Sequence, residues 1–190
     1  ALRSPGIDPV DARVLLQHVL SVKHAYLIAH SERTLTQTET ACVQACFERR
    51  VGGEPVAYIV GRREFFGRDF LVSPAVLIPR PETELLVETA LEKMSGVAAP
   101  RVLDLGTGSG CIAITLGLER PDAPILAVDI NAEALRLAAA NAAALNAKNV
   151  SFVASRWFEA VGAAAFELIV SNPPYIAETD THLSEGDLRF

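Results

Sequence analysis

From Val102 to Ser171 the chain repeats one pattern: a short apolar run, a loop, then a stretch with helical spacing. The runs are Val102 to Leu105, Ile125 to Asp129, Val150 to Ala154 and Leu168 to Ser171, with helices expected from about Ser109, Asn131 and Ser155. Strands that alternate with helices are joined by crossovers, which set them side by side as a parallel sheet covered by helices. The sequence therefore predicts an α/β domain over residues 82–190. The Ala-rich stretch from Ala132 to Ala147 is a sheet-covering helix. Leu168 to Val170 is apolar enough for a central strand buried on both faces, so further strands are expected beyond Phe190.

What precedes this domain has a different texture. Asp8 before Pro9 is a helix start, and Val10, Val14, Leu15 and Val19 follow at helical spacing. A short helix is expected over Lys23 to His30. Thr36 with Glu39 is a capping box whose helix should stop near Gly52 and Gly53. Residues 1–53 thus read as a small helical bundle. Residues 54–81 read as a β-hairpin linker, with strands at Glu64–Phe66 and Asp69–Val72 around Gly67 and prolines at 74, 79 and 81. Helix resumes at Glu82 to Met94.

Composition excludes several classes. Seventeen Lys and Arg against 23 Asp and Glu give a net charge of −6, with no basic stripe of the kind that neutralises phosphates, so direct nucleic-acid binding is not expected. No apolar run reaches the ~18 residues of a membrane span. Cys42, Cys46 and Cys111 form no CxxC pair, which argues against a disulfide framework or a metal site and fits a cytoplasmic protein.

Three groups carry chemistry. Asp104-Leu105-Gly106-Thr107-Gly108-Ser109-Gly110 lies between a strand and a helix, where glycines let backbone approach a ligand and the N–H groups of a helix start point at it. A dinucleotide fingerprint would need GxGxxG; here the third glycine comes one residue early and Cys111 stands in its place. Asp104, just before the first glycine, suits a cationic ligand better than a pyrophosphate. Asp129 closes the next strand, where a carboxylate can accept both ribose hydroxyls of an adenosine. S-adenosylmethionine, with a sulfonium, an ammonium and no phosphate, fits both groups.

The third group is Asn172-Pro173-Pro174-Tyr175, at the C-terminal end of the fourth strand. Two prolines delete two N–H donors, so the loop presents acceptors without competition. An amide nitrogen has a delocalised lone pair and is a poor nucleophile. Holding its hydrogens on the Asn172 oxygen and the Pro173 carbonyl aims that lone pair at a methyl group, and catalysis becomes positioning without a general base. Tyr175 can stack on the planar target.

With these motifs the chain resembles the HemK/PrmC family, protein-glutamine methyltransferases that modify the GGQ glutamine of peptide-chain release factors. The resemblance runs through Gly53-Glu54-Pro55, Tyr58-Ile59 with Gly61, Glu64-Phe65-Phe66-Gly67, and Val76-Leu77-Ile78-Pro79-Arg80-Pro81-Glu82-Thr83-Glu84, then the glycine loop and Asn172 to Tyr175. The Ile78 to Glu84 stretch looks like the release-factor branch more than the sister family acting on a ribosomal-protein glutamine. The resemblance implies a Rossmann-like class I fold, cofactor contacts at Gly106, Thr107, Gly108, Ser109, Gly110, Asp129, Trp157 and Asn172, and glutamine binding by Asn172, Pro173, Pro174 and Tyr175. It implies a release factor as substrate; the helical domain is expected to dock that protein, and a monomer is expected. Trp157 would flank the adenine; otherwise it is a core aromatic. The family usually has an acid where this chain has Arg156, and an Arg cannot accept from the adenine amino group. Arg80, Glu82 and Glu84 fit a site rim and a linker salt bridge equally well.

Three competing readings remain at this level. An adenine-amino DNA methyltransferase uses the same Asn-Pro-Pro logic but sits poorly with the charge of −6. A binding module without turnover would be consistent with Arg156. An NAD oxidoreductase conflicts with the glycine spacing.

Overall fold

A computed structural model describes residues 6–173, which fall into two compact units, the first running to Gly61 and the second beginning at Arg62. The first contains helices α1 (Pro9–Leu20), α2 (His24–Ala29), α3 (Gln37–Val51) and α4 (Val56–Val60). Asp8 caps α1 by accepting the Val10 N–H at 2.7 Å, and Thr36 and Glu39 form the capping box of α3 in both directions. Leu15, Val43, Phe47 and Ile59 bury their side chains together. Each contributes on the order of 2 kcal/mol by leaving water. Arg50 ties α3 to α1 through Asp11 at 2.7 Å.

α4 corrects the sequence reading, which ran the linker from residue 54. Pro55 opens this helix, and Ile59, with Val56 and Val60 beside it, completes the bundle core. The apolar side chains of residues 56–60 are thus spent on the helices before them.

The second unit opens with the expected hairpin, β1 (Arg62–Phe65) and β2 (Arg68–Leu71), antiparallel with Phe65 opposite Arg68. Its two-residue turn places Phe66 at φ 52° and Gly67 at φ 72°, the left-handed pair that matches strand twist. Phe66 tolerates this because its N–H is held by the Glu84 carboxylate at 2.8 Å and its ring packs on the core. Phe65 and Phe70 are buried edge to face, 6.1 Å between centroids.

A single 3-10 turn (Pro81–Thr83) leads into α5 (Glu84–Met94), and then β3 (Val102–Leu105), α6 (Cys111–Glu119), β4 (Ile125–Asp129), α7 (Ala132–Leu145), β5 (Val150–Ala154) and β6 (Leu168–Ser171) follow. The sheet is parallel in the order β5-β4-β3-β6, pairing Leu105 with Val128 and with Ser171. Alternation divides the strand residues between two faces. Val102, Ile125, Ala127 and Val170 pack with α5, α6 and α7, while Leu103, Leu105 and Val128 form a second cluster with Val153, Val161 and Phe166. α6 is apolar all round and buried from Cys111 to Gly117.

One expectation fails here. Residues 155–166 form turns rather than a helix: Trp157 (φ 52°) and Gly162 (φ 67°) both take left-handed backbone, and the Ser155 hydroxyl donates to the Trp157 carbonyl and accepts the Ala160 N–H. β6 stands at the edge of the four described strands, with Val170 buried and Ile169 49% exposed.

Candidate functional site

The order β5-β4-β3-β6 places a topological switch point between β3 and β6. The connection leaving β3 runs toward β4, and the connection arriving at β6 comes from the other side of the sheet. Open α/β sheets bind ligands in the crevice beyond the strand ends at such a point. The glycine loop leaves β3 on one side of it, and Asn172 leaves β6 on the other. Leu105 and Ser171 are register partners, so Gly106 and Asn172 each begin one residue beyond the same rung, and the Ser171 hydroxyl donates to the Leu105 carbonyl at 2.8 Å.

The loop is built from both ends. The N–H groups of Gly106 and Thr107 both donate to the Val128 carbonyl, at 2.9 and 3.0 Å, and Gly110 donates back to Thr107 at 2.8 Å. Gly106, Gly108 and Gly110 all have positive φ. At Gly110 space is closed as well: a Cβ would stand 2.8 Å from Ile114 and 3.1 Å from Ala138, so α6 and α7 meet over this glycine. Gly106 and Gly108 instead have nothing within 4 Å of a Cβ, which leaves their surface open to a ligand.

Asp104 lies beneath the loop and is fully buried. Its Oδ2 accepts the Thr107 hydroxyl at 2.7 Å, while Oδ1 has no partner in hydrogen-bond geometry. Burial pushes its carboxyl up to about 6, against the pull of the Thr107 hydroxyl and the Ala113 N–H. Above that pH the loop covers an ionised, half-satisfied carboxylate, which a positive ligand compensates through the low-dielectric interior. Asp129, at the end of β4, accepts the Gly108 N–H on Oδ2 and the Asn131 N–H on Oδ1, both at 2.9 Å. Asn131 in turn caps α7. The residues present thus fit a ligand with a positive centre over the loop and hydroxyls near Asp129.

Cys111 begins α6 immediately after the loop. Burial pushes its thiol up to about 12, so it stays protonated and packs as a small apolar residue. Trp157 is 53% exposed and is not a core aromatic; with Ile130 (72%) and Phe158 (54%) it adds exposed apolar side chains just beyond the ends of β4 and β5. Arg156 is exposed and 3.9 Å from Glu159. Asn172 donates from Nδ2 to the Thr83 hydroxyl at 3.2 Å. Pro173 is the last residue described; Pro174 and Tyr175 lie outside the described residues. The Glu84 carboxylate accepts the Phe66 N–H at 2.8 Å.

Asn141 escaped the sequence reading. It is buried in α7, accepts the Leu71 N–H at 2.7 Å, and donates to the carbonyls of Leu71 at 3.1 Å and Ser109 at 2.9 Å. One side chain therefore joins the hairpin to the glycine loop. Among the described residues no group of three or more His, Cys, Asp or Glu could hold a metal, and no helix is long and apolar enough to cross a membrane.

Comparison with known proteins agrees with this geometry. Residues 81–186 match the Methyltransferase small domain and residues 1–61 the PrmC N-terminal domain. Among solved structures, a T. thermophilus 16S rRNA methyltransferase in complex with AdoMet and guanosine is 27% identical with a TM-score of 0.52, covering 62% of this chain and 33% of that one. An Agrobacterium tumefaciens SAM-dependent methyltransferase shares the fold at 15% identity and a TM-score of 0.51, covering 60% of this chain and 39% of that one. Fold and site together define a Rossmann-like, S-adenosylmethionine-dependent methyltransferase.

Relatives narrow the class. The release factor glutamine methyltransferases of Bordetella pertussis and Xylella fastidiosa are each 50% identical over all of this chain, which spans 70% and 69% of their lengths. That of Escherichia coli is 47% identical over 95% of this chain and 65% of its own. The chain belongs to the release factor glutamine methyltransferase family.

Proposed function

We propose that this chain transfers a methyl group from S-adenosylmethionine to the side-chain amide nitrogen of the GGQ glutamine of a release factor, at the crevice between β3 and β6. The observation that carries the reading is the adjacency of the glycine loop and Asn172 across the Leu105–Ser171 rung. Bound there, S-adenosylmethionine supplies a methyl carbon on a sulfonium, which the amide nitrogen attacks as the carbon–sulfur bond breaks and a thioether leaves.

The chain's own residues bind and orient. Gly106, Thr107, Gly108, Ser109 and Gly110 form the floor of the cofactor site, and Asp104 sets a negative field beneath it. Asp129 accepts ribose hydroxyls on lone pairs left over from Gly108 and Asn131. Trp157 and Ile130 give the adenine an apolar surface. Asn172 and the Pro173 carbonyl accept the two amide hydrogens, which keeps the nitrogen lone pair in line with the methyl carbon. Pro174 and Tyr175, which lie outside the described residues, are assigned to glutamine binding with them. A proton leaves the nitrogen for water once it carries the methyl. The helical unit, which runs to Gly61, docks the protein substrate, the hairpin and turn of residues 62–81 lead into the methyltransferase domain, and the enzyme works as a cytoplasmic monomer without nucleic acid.

The test is calorimetric titration of the chain with S-adenosylmethionine and with NAD, followed by methyl transfer to a release factor and to its Gln→Ala variant. Binding of S-adenosylmethionine alone, with transfer lost in the variant, is expected. Tighter binding of NAD, or equal labelling of the variant, contradicts the reading.

A further inference from the structure

We infer that Thr83 is the positioning residue that holds the Asn172 carboxamide in place with Oδ1 left for the substrate. The inference rests on the reading of Asn172 as the acceptor for the substrate amide, and it concerns a hydrogen bond between segments 89 positions apart.

A carboxamide has two unlike ends: Oδ1 only accepts and Nδ2 only donates. An Asn that must receive a substrate N–H has to present Oδ1; turned over, it presents its own N–H groups to those of the substrate, donor against donor. The chain beside it cannot correct the choice, because Pro173 has no N–H to hold Oδ1 or to relay a bond. Thr83 supplies the contact that holds the carboxamide instead. Its hydroxyl oxygen accepts from Nδ2 at 3.2 Å, which engages one of the two Nδ2 hydrogens and leaves Oδ1 for the substrate.

Thr83 is suited to this because it is fixed and dry. It is 9% exposed, so water scarcely competes for its hydroxyl. Its N–H closes the 3-10 turn onto the Arg80 carbonyl at 3.0 Å. The next residue, Glu84, is held by the Phe66 N–H at 2.8 Å, and α5 behind it anchors Val87, Ala90 and Met94 in the core. The turn is therefore rigid against the sheet while Asn172 leaves a strand end, and the hydrogen bond transfers that rigidity to the carboxamide.

The experiment uses the full chain with S-adenosylmethionine and a release factor, and compares Thr83→Val, Thr83→Ser, Thr83→Ala and Asn172→Ala in steady-state kinetics, cofactor titration and thermal unfolding. Thr83→Val keeps shape and loses the acceptor. Its kcat is expected to fall about tenfold, as for one lost hydrogen bond of ~1.4 kcal/mol. The Kd for S-adenosylmethionine should stay within about twofold, and KM for the release factor should change little. Thr83→Ser should recover most of kcat, and Thr83→Ala should match Thr83→Val if the latter packs badly. Wild-type kcat in both hydroxyl-free variants, with Asn172→Ala inactive, overturns the inference and leaves the reading of Asn172 standing. Loss of cofactor affinity in step with turnover, or no recovery with Ser, overturns it as well. Full activity of Asn172→Ala overturns both.

Discussion

Asp129 accepts the N–H of Gly108 at 2.9 Å, and this one contact holds the middle of the glycine loop against the end of the neighbouring strand. The other carboxylate oxygen holds Asn131 at the head of α7. The group proposed to accept the ribose hydroxyls is thereby also the group that shapes the loop. Asp129→Asn replaces one acceptor oxygen with a donor and must break one of the two contacts. Affinity for S-adenosylmethionine is expected to fall at least tenfold, or ~1.4 kcal/mol or more, with the fold retained. Calorimetry against circular dichroism checks this; unchanged affinity would remove Asp129 from the site.

Asp104 makes the site sensitive to pH. Its ordinary value of 3.8 rises to about 6 through burial, so the folded chain binds this proton more readily than the unfolded chain. The stability it contributes is complete below 3.8 and is lost as pH rises to about 6. Cofactor binding has the opposite sign, because a positive ligand favours the ionised carboxylate. Affinity for S-adenosylmethionine should rise with pH up to about 6 and then level off. Asp104→Asn should bind weakly with no such rise. A titration series between about pH 5 and 8 checks both, and identical profiles for the two proteins would contradict the electrostatic role.

Glycine is required for two different reasons within one loop. At Gly106 (φ 72°) a Cβ meets open space, so Gly106→Ala costs only backbone strain, about 1 kcal/mol, together with whatever ligand surface it obstructs. At Gly110 (φ 80°) the same strain is joined by a contact of 2.8 Å with Ile114 inside the α6–α7 packing. Gly110→Ala should cost roughly 2–4 kcal/mol and destabilise the free chain, whereas Gly106→Ala should chiefly weaken cofactor binding. Chemical denaturation of both variants, with and without cofactor, separates the two effects.

Asn141 predicts a structural cost that reaches the site. Asn141→Leu fills the same space but strands the Leu71 N–H, the Leu71 carbonyl and the Ser109 carbonyl. A loss of roughly 2–4 kcal/mol is expected from the denaturation midpoint, together with weaker cofactor binding as the loop loses its tie to the hairpin. Wild-type stability would show these groups satisfied by other means.

The strands of the α/β unit are legible because each is a short apolar run bounded by loop residues. Val102–Leu105, Ile125–Asp129, Val150–Ala154 and Leu168–Ser171 fall where the pattern puts them. The caps at Asp8 and Thr36 are equally local, each a side chain reaching two or three residues ahead. What escapes the sequence is long-range or depends on backbone hand. Asn141 sits in an Ala-rich helix and its partner Leu71 is 70 positions away, so nothing nearby marks it. The helix expected from Ser155 fails at Trp157, whose positive φ no propensity foretells. The switch point brings the glycine loop and Asn172 together, and only strand order reveals it. In the sequence Thr83 is one letter of a familiar run, and its use becomes visible in the hydrogen bond to Asn172.

The account turns on where the methyl group goes. Tandem mass spectrometry of a release factor after incubation with this chain and S-adenosylmethionine, run beside Asn172→Ala, tests it most directly. One methyl on the side-chain nitrogen of the GGQ glutamine, absent with Asn172→Ala, is the result expected. A methyl on another residue, or an unchanged yield from Asn172→Ala, would contradict the assignment of the β3–β6 crevice as a glutamine-methylating site.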